Sequence, residues 1–146
     1  MRLLLVTLLL LATTMLVQAQ NPANWTVELE KGADNNYVIV ATATIQDGWY
    51  VYSQYLESDN GPIATELVLE EEDTKLVGKA MEDGNQIKGF DDMFAMEITK
   101  YKKKMVIRQP ITAEKGNAIK GYLTYMSCNE TSCMPPQEVE FEWKAK

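Results

Sequence analysis

Two residues of this chain, Cys128 and Cys133, have the type and spacing of a reactive pair. They lie in YLTYMSCNETSCMPP, residues 122–136, the first at the end of an expected strand and the second just ahead of Met134-Pro135-Pro136. The residues at 129–132 between them are good turn formers. A hairpin connection of that length can bring the two Cα atoms to the ~5.5–6 Å that a disulfide spans. The two prolines stiffen the exit and remove two backbone donors. The chemistry open to such a pair is thiol–disulfide exchange, in which a thiolate attacks an accessible sulfur in line and the neighbouring sulfur resolves the mixed disulfide. The competing reading is a structural staple. Against it, so short a loop removes only ~2 kcal/mol of unfolded-chain entropy, and a domain of this size has core enough without a cross-link. The residues alone leave both readings open. No lysine, arginine or histidine lies between or beside the cysteines, so nothing local depresses a thiol pKa. That suits a domain waiting for an activated partner rather than a strong oxidant.

Composition excludes much else. The chain has no histidine, which removes Ser-His and Cys-His catalysis, most zinc sites and haem attachment. No cofactor and no resident metal are expected. The formal charge of −7 argues against nucleic acid, which usually needs a basic face; ordinary solubility accounts for it. Two alternatives to exchange stand beside it. Met126, Cys128, Cys133 and Met134 put four soft sulfurs near one hairpin, with Met93 and Met96 as further candidates, and soft sulfur suits Cu(I); against this, methionines fill irregular gaps in cores. A non-catalytic binding module, using Trp25, Trp49 and Trp143 as a surface, is the other, although core positions suit these residues better. The Asn-x-Thr triplets at Asn24 and Asn129 are read as chance.

The elements that must position the pair read as short strands between turn clusters. Residues 1–19 have the layout of a secretory signal peptide, with Arg2, an apolar run at 3–11 and Val17-Gln18-Ala19 at the cleavage positions. Cleavage leaves about 127 residues, enough for one domain, 20–146, and no later segment is apolar enough to span a bilayer. Strands are expected at 25–30, 37–45, 49–53, 65–70, 96–101, 104–111, 119–128 and 138–143, with 75–80 as a neighbour of 65–70. Residues 81–94 read as irregular, and Lys102, Lys103 and Lys104 as a solvated hairpin turn. Eight or nine strands with regular turn signals and no helix predict an all-β antiparallel sandwich or, as the nearest rival, a small barrel.

Three patches resemble the N-terminal periplasmic domain of DsbD, the bacterial thiol:disulfide interchange protein, over roughly 25–143. DGWYVYSQ (47–54) resembles the family's aromatic strand, DDMFAMEITKYKKKMVI (91–107) its cap segment and following strands, and TYMSCNETSCMPP (124–136) its active hairpin. The resemblance implies an immunoglobulin-like antiparallel β-sandwich in the periplasm. It implies that Cys128 and Cys133 shuttle between dithiol and disulfide, passing electrons from a membrane thiol transporter to periplasmic thioredoxin-like proteins. Phe94 matches the cap aromatic that shields the disulfide, Asp92 an acidic residue beside it, and Tyr50 and Tyr52 the aromatic strand. The cysteine spacing is one residue shorter than in the best-known members, and Met93 stands at the cap's second acidic position. The chain carries neither the membrane segments nor the thioredoxin-like domain of the full-length protein, so its electrons are expected to arrive in trans.

Overall fold

A computed structural model describes residues 21–146; the expected signal peptide and its cleavage junction lie outside the described residues. Ten strands follow one another: β1 (Ala23–Lys31), β2 (Asn36–Ile45), β3 (Tyr50–Tyr52), β4 (Glu66–Leu69), β5 (Thr74–Leu76), β6 (Met81–Asp91), β7 (Met96–Ala113), β8 (Ala118–Tyr125), β9 (Ser127–Cys128) and β10 (Gln137–Lys144). All pairings are antiparallel. One sheet runs β1-β2-β7-β3-β9, with β5 and β6 along the other edge of β7; the second runs β10-β8-β4. The result is the expected immunoglobulin-like antiparallel sandwich.

The strands form where alternation gives them one apolar face. In β2, Tyr37, Ile39, Ala41, Ala43 and Ile45 are buried. They meet Ile107 and Ile111 of β7, and Ile119 and Leu123 of β8, in two adjoining core clusters. Trp25, Trp49 and Trp143 are half-buried and pack against these clusters, so they serve the core rather than a separate surface.

Three details of the strand reading are corrected. Lys102, Lys103 and Lys104 do not turn a hairpin; they lie within the single 18-residue β7. Opposite them the register on β6 jumps from Gly84↔Met105 to Asn85↔Lys102, leaving two lysines unopposed in a bulge with Lys103 at φ 62°. Gly84 makes the bulge possible: its φ is 126°, and a Cβ there would lie 2.2 Å from the Lys104 carbonyl oxygen. The bulge lets β7 pair with β2 through its C-terminal part and with β3 through Lys100 and Tyr101.

Residues 81–91, read as irregular, form β6. They lack apolar alternation because the strand's contact inward is polar. Glu82 accepts hydrogen bonds from Ser53 Oγ (2.7 Å), Gln54 N (2.7 Å) and Tyr101 Oη (3.0 Å). Finally, β5 pairs with β7 rather than with β4, because the chain crosses between sheets after β4.

Candidate functional site

The last sheet-forming residues before the cysteine loop are Ser127 and Cys128, which pair as β9 with Val51 and Tyr50. On its other side Cys128 faces Cys133 in an isolated antiparallel bridge. Met134 N donates to Ser127 O (2.8 Å) and Asn129 N to Ser132 O (2.9 Å). The cysteines therefore occupy the non-hydrogen-bonded position between two bonded pairs, where opposed Cα atoms come closest. This explains a Cα–Cα distance of 4.0 Å, shorter than the sequence predicts. The two sulfurs form a disulfide.

The loop is shaped by one side chain. Asn129 Oδ1 accepts from the backbone N–H groups of Thr131 (2.9 Å) and Ser132 (2.8 Å) and from both of their hydroxyls. An Asx-type turn of this kind uses the short Asn side chain as a surrogate for backbone. The Asn-x-Thr triplet at Asn129 thus has a structural role in the turn.

The two sulfurs sit in different surroundings. Cys128 is 1% exposed, in an apolar cluster with Tyr52, Ile98 and Met126, against which Leu56, Phe94 and Met96 pack. Cys133 is exposed. The turn between β6 and β7, residues 92–95, lies beside it, and Met93 Sδ is 3.9 Å from Cys133 Sγ. With Cys133 in a disulfide this is a sulfur–sulfur contact rather than a hydrogen bond. Phe94 turns the other way and meets the Tyr52 ring edge-on at 6.1 Å. Met93 touches the sulfur of the exposed cysteine, and Phe94 packs over the cluster that holds the buried one. Of the other sulfurs considered for copper, Met126 and Met96 belong to the Cys128 cluster; Met134 is half-buried on the loop exit.

A polar strut ties the cap turn to the cysteine loop. Asp91 Oδ1 accepts from the Met93 N–H (3.0 Å) and, more weakly, the Phe94 N–H (3.4 Å). Its Oδ2 pairs with Lys100 Nζ at 2.7 Å, both side chains being largely buried. Lys100 Nζ also stands 4.2 Å from the centre of the Tyr50 ring. Tyr50 Oη donates to Glu130 Oε1 (2.9 Å) inside the loop. That hydrogen bond to Glu130, then burial and the Glu130 charge, hold the Tyr50 phenol above its ordinary pKa. Tyr52, beneath, is pushed up further, chiefly by burial. A groove of about 450 Å³ runs between cap and loop, with Tyr52, Phe90, Asp91, Asp92, Met93 and Lys100 on one side and residues 129–131 on the other.

The structure thus brings Cys128, Cys133, Phe94, Tyr50 and Tyr52 together. Asp92 lines the groove from an exposed position on the cap turn, while the acid that holds the cap is its neighbour Asp91. Sequence reasoning missed Asp91, Lys100 and Glu130; the DD pair flanking the cap is the one signal that pointed near them.

Asp91 gives the cap a pH dependence. Burial pushes its carboxyl up, but the Lys100 hydrogen bond and charge and the Phe94 and Met93 amides outweigh this, and the pKa lies below the ordinary 3.8. A depressed carboxyl contributes its stabilisation fully above the unfolded value and loses it as pH falls through the folded one. The cap is therefore expected to loosen only in acid, below about pH 4. Phosphine reduction of the disulfide, taken relative to a small-molecule disulfide, should be flat from neutral pH to that point and then rise. Asp91→Asn should be fast throughout; a flat wild-type ratio down to pH 2 would exclude this role for Asp91.

A family model described as thiol:disulfide interchange protein DsbD, N-terminal, matches residues 14–145. Among solved structures, the N-terminal periplasmic domain of ScsB from Proteus mirabilis matches with a TM-score of 0.64 at 16% identity, over 85% of this chain and 47% of that one. The chain thus spans about half the length of that relative. The Neisseria meningitidis DsbD N-terminal domain in its reduced form matches at 0.54 and 22% identity, over 83% and 85%. A chain from the complex between the DsbD N-terminal and PilB N-terminal domains of the same organism matches at 0.57 and 23%, over 81% and 80%. At these identities the likeness to solved structures is one of fold. No curated protein matches the chain.

Proposed function

The chain belongs to the family of DsbD N-terminal domains, and from that premise we propose that it is a periplasmic electron carrier acting by thiol–disulfide exchange through Cys128 and Cys133. The observation that carries this reading is the asymmetry of the pair: one cysteine is exposed at a hairpin tip and the other is buried directly behind it.

In the reducing half-cycle, a donor thiolate attacks Cys133 Sγ in line. The Cys133–Cys128 bond breaks, and Cys128 leaves as a thiolate and takes up a proton. The donor's second thiolate then attacks its own sulfur in the mixed disulfide, releasing Cys133 and completing the transfer of two electrons. In the oxidising half-cycle the Cys133 thiolate attacks an acceptor disulfide, and Cys128, held close behind it, resolves the mixed disulfide. Asn129 sets the loop, while the Asp91–Lys100–Tyr50–Glu130 strut fixes the cap against it. Met93 and Phe94 hold bystander thiols away until a partner displaces the cap turn. The donor is a membrane thiol transporter and the acceptors are thioredoxin-like proteins; that such domains engage other proteins is supported by the complex of the Neisseria meningitidis DsbD N-terminal domain with the PilB N-terminal domain. The domain at residues 20–146 acts after removal of a signal peptide at 1–19.

The test is a redox titration of the pair, read by alkylation, together with exchange against a thioredoxin-like protein. A midpoint between about −270 and −180 mV with exchange on both sides is expected. A midpoint below about −300 mV with no exchange would make the bond a staple.

A further inference from the structure

The contact between Met93 and Cys133 has a use that exchange does not require. In the reduced protein three sulfurs of two kinds stand together: the Cys128 and Cys133 thiols and the Met93 thioether, whose Sδ already lies 3.9 Å from Cys133 Sγ. We propose that these three sulfurs form a Cu(I) site, available only when the disulfide is open. The inference rests on the reading above in one respect, that the pair can be reduced.

Metal–thiolate bonds of about 2.3 Å place the sulfurs of a three-coordinate ion ~4 Å apart, which is the spacing Met93 Sδ and Cys133 Sγ already have. Opening the disulfide lets the two cysteine sulfurs part to a like separation. The donors sit on two loops that are each held in place. The Met93 backbone is held through its N–H to Asp91 Oδ1 at 3.0 Å, and the cysteine loop through Asn129. The ordering left for the ion to impose is chiefly that of the Met93 side chain.

The donor set selects the ion. Two thiolates with a thioether suit soft Cu(I). Zn(II) favours thiolate, imidazole or carboxylate in a closed four-coordinate shell; the chain has no histidine, and no trio of Cys, Asp or Glu is placed to hold a metal among the described residues. The surroundings support the choice. Behind Cys128 lie Met126 and Phe94, which keep water from one side. The groove that Met93 lines presents Asp91, Asp92 and Glu130 against Lys100, an excess of negative charge that attracts a cation.

The steps balance. A dithiol reductant delivers two electrons and two protons to the disulfide, giving two thiols. Cu(I) then binds with loss of both thiol protons, with no change in its oxidation state. Because the ion occupies both thiolates, the loaded protein cannot exchange until the copper is passed on.

The test uses the protein reduced with dithiothreitol, desalted without oxygen, and titrated with Cu(I) in competition with a chromogenic Cu(I) chelator after counting thiols. One Cu(I) retained per chain is expected, with three sulfur neighbours by X-ray absorption. Met93→Leu, which keeps an apolar side chain on the cap, should count two thiols yet bind at least tenfold more weakly with two sulfur neighbours. Two counted thiols with all copper surrendered to the chelator would overturn the site and leave the exchange reading standing. So would a Met93→Leu protein that matches wild type in affinity and sulfur count. A thiol count of zero after reduction would overturn the site and the exchange reading together.

Discussion

Cys128→Ala is expected to leave a protein whose remaining thiol reacts readily and traps a partner, whereas Cys133→Ala is expected to leave one that is nearly inert. The difference follows from position. An attacking thiolate must approach along the axis of the bond it breaks, and of the two cysteines only Cys133 is an exposed residue. Cys128 is 1% exposed among Tyr52, Ile98 and Met126. Access alone separates the two, so alkylation of Cys128 in the Cys133→Ala protein should run ~100-fold slower than that of Cys133 in the Cys128→Ala protein. Mixed disulfides isolated from cells should contain Cys133. Equal alkylation rates would remove the asymmetry on which the proposed half-cycles depend. Loss of turnover in both variants is expected as well, since each step needs a second sulfur.

How much of this the sequence disclosed depends on the range over which each feature is encoded. The cysteine loop is local: Asn129 to its own neighbours, two cysteines five apart and a Pro-Pro exit can all be read along the chain. The aromatic strand is also local, because Tyr50 and Tyr52 announce a shared face by their spacing. Their partners are not local. Lys100 reaches Tyr50 and Asp91 only because β7 lies between β3 and β6 in one register, and no pattern along residues 91–100 states that register. Likewise β6 escaped notice because Glu82 satisfies Ser53, Gln54 and Tyr101 where a hydrophobic side chain would have given an alternation to read. The three lysines at 102–104 misled for a related reason. Consecutive charges signal a turn when a strand is taken to be regular, and β7 is made irregular there by a bulge that Gly84, on another strand, permits. The close cysteine pair and its turn were legible; the scaffold that aims them depends on pairings between distant segments.

Tyr52→Ala is expected to cost about 3–5 kcal/mol, the range for removing a large buried aromatic ring. Tyr52 is 1% exposed and among the largest fully buried side chains of the protein. It fills the space between Cys128, Ile98 and Phe94, and no neighbouring backbone is free to collapse into the gap, because β3 is held on one side by β7 and on the other by β9. The loss has a functional consequence that a cavity elsewhere would lack. Phe94 rests edge-on against the Tyr52 ring, so deleting that ring removes the floor on which the cap turn sits. Reduction of the disulfide by a small thiol should therefore accelerate in the fraction that remains folded. Tyr52→Phe keeps the ring and should stay within ~1.5 kcal/mol of wild type, with the cap still seated. Tyr50→Ala makes the contrast, since Tyr50 is half-buried and reaches the loop through Glu130; its stability cost should be about 1 kcal/mol, while the loop loses its tether to the cap. Denaturant midpoints and reduction rates for the three proteins measure both quantities. A Tyr52→Ala protein within 1 kcal/mol of wild type, or one whose disulfide is no easier to reduce, would mean that the cap does not stand on this residue.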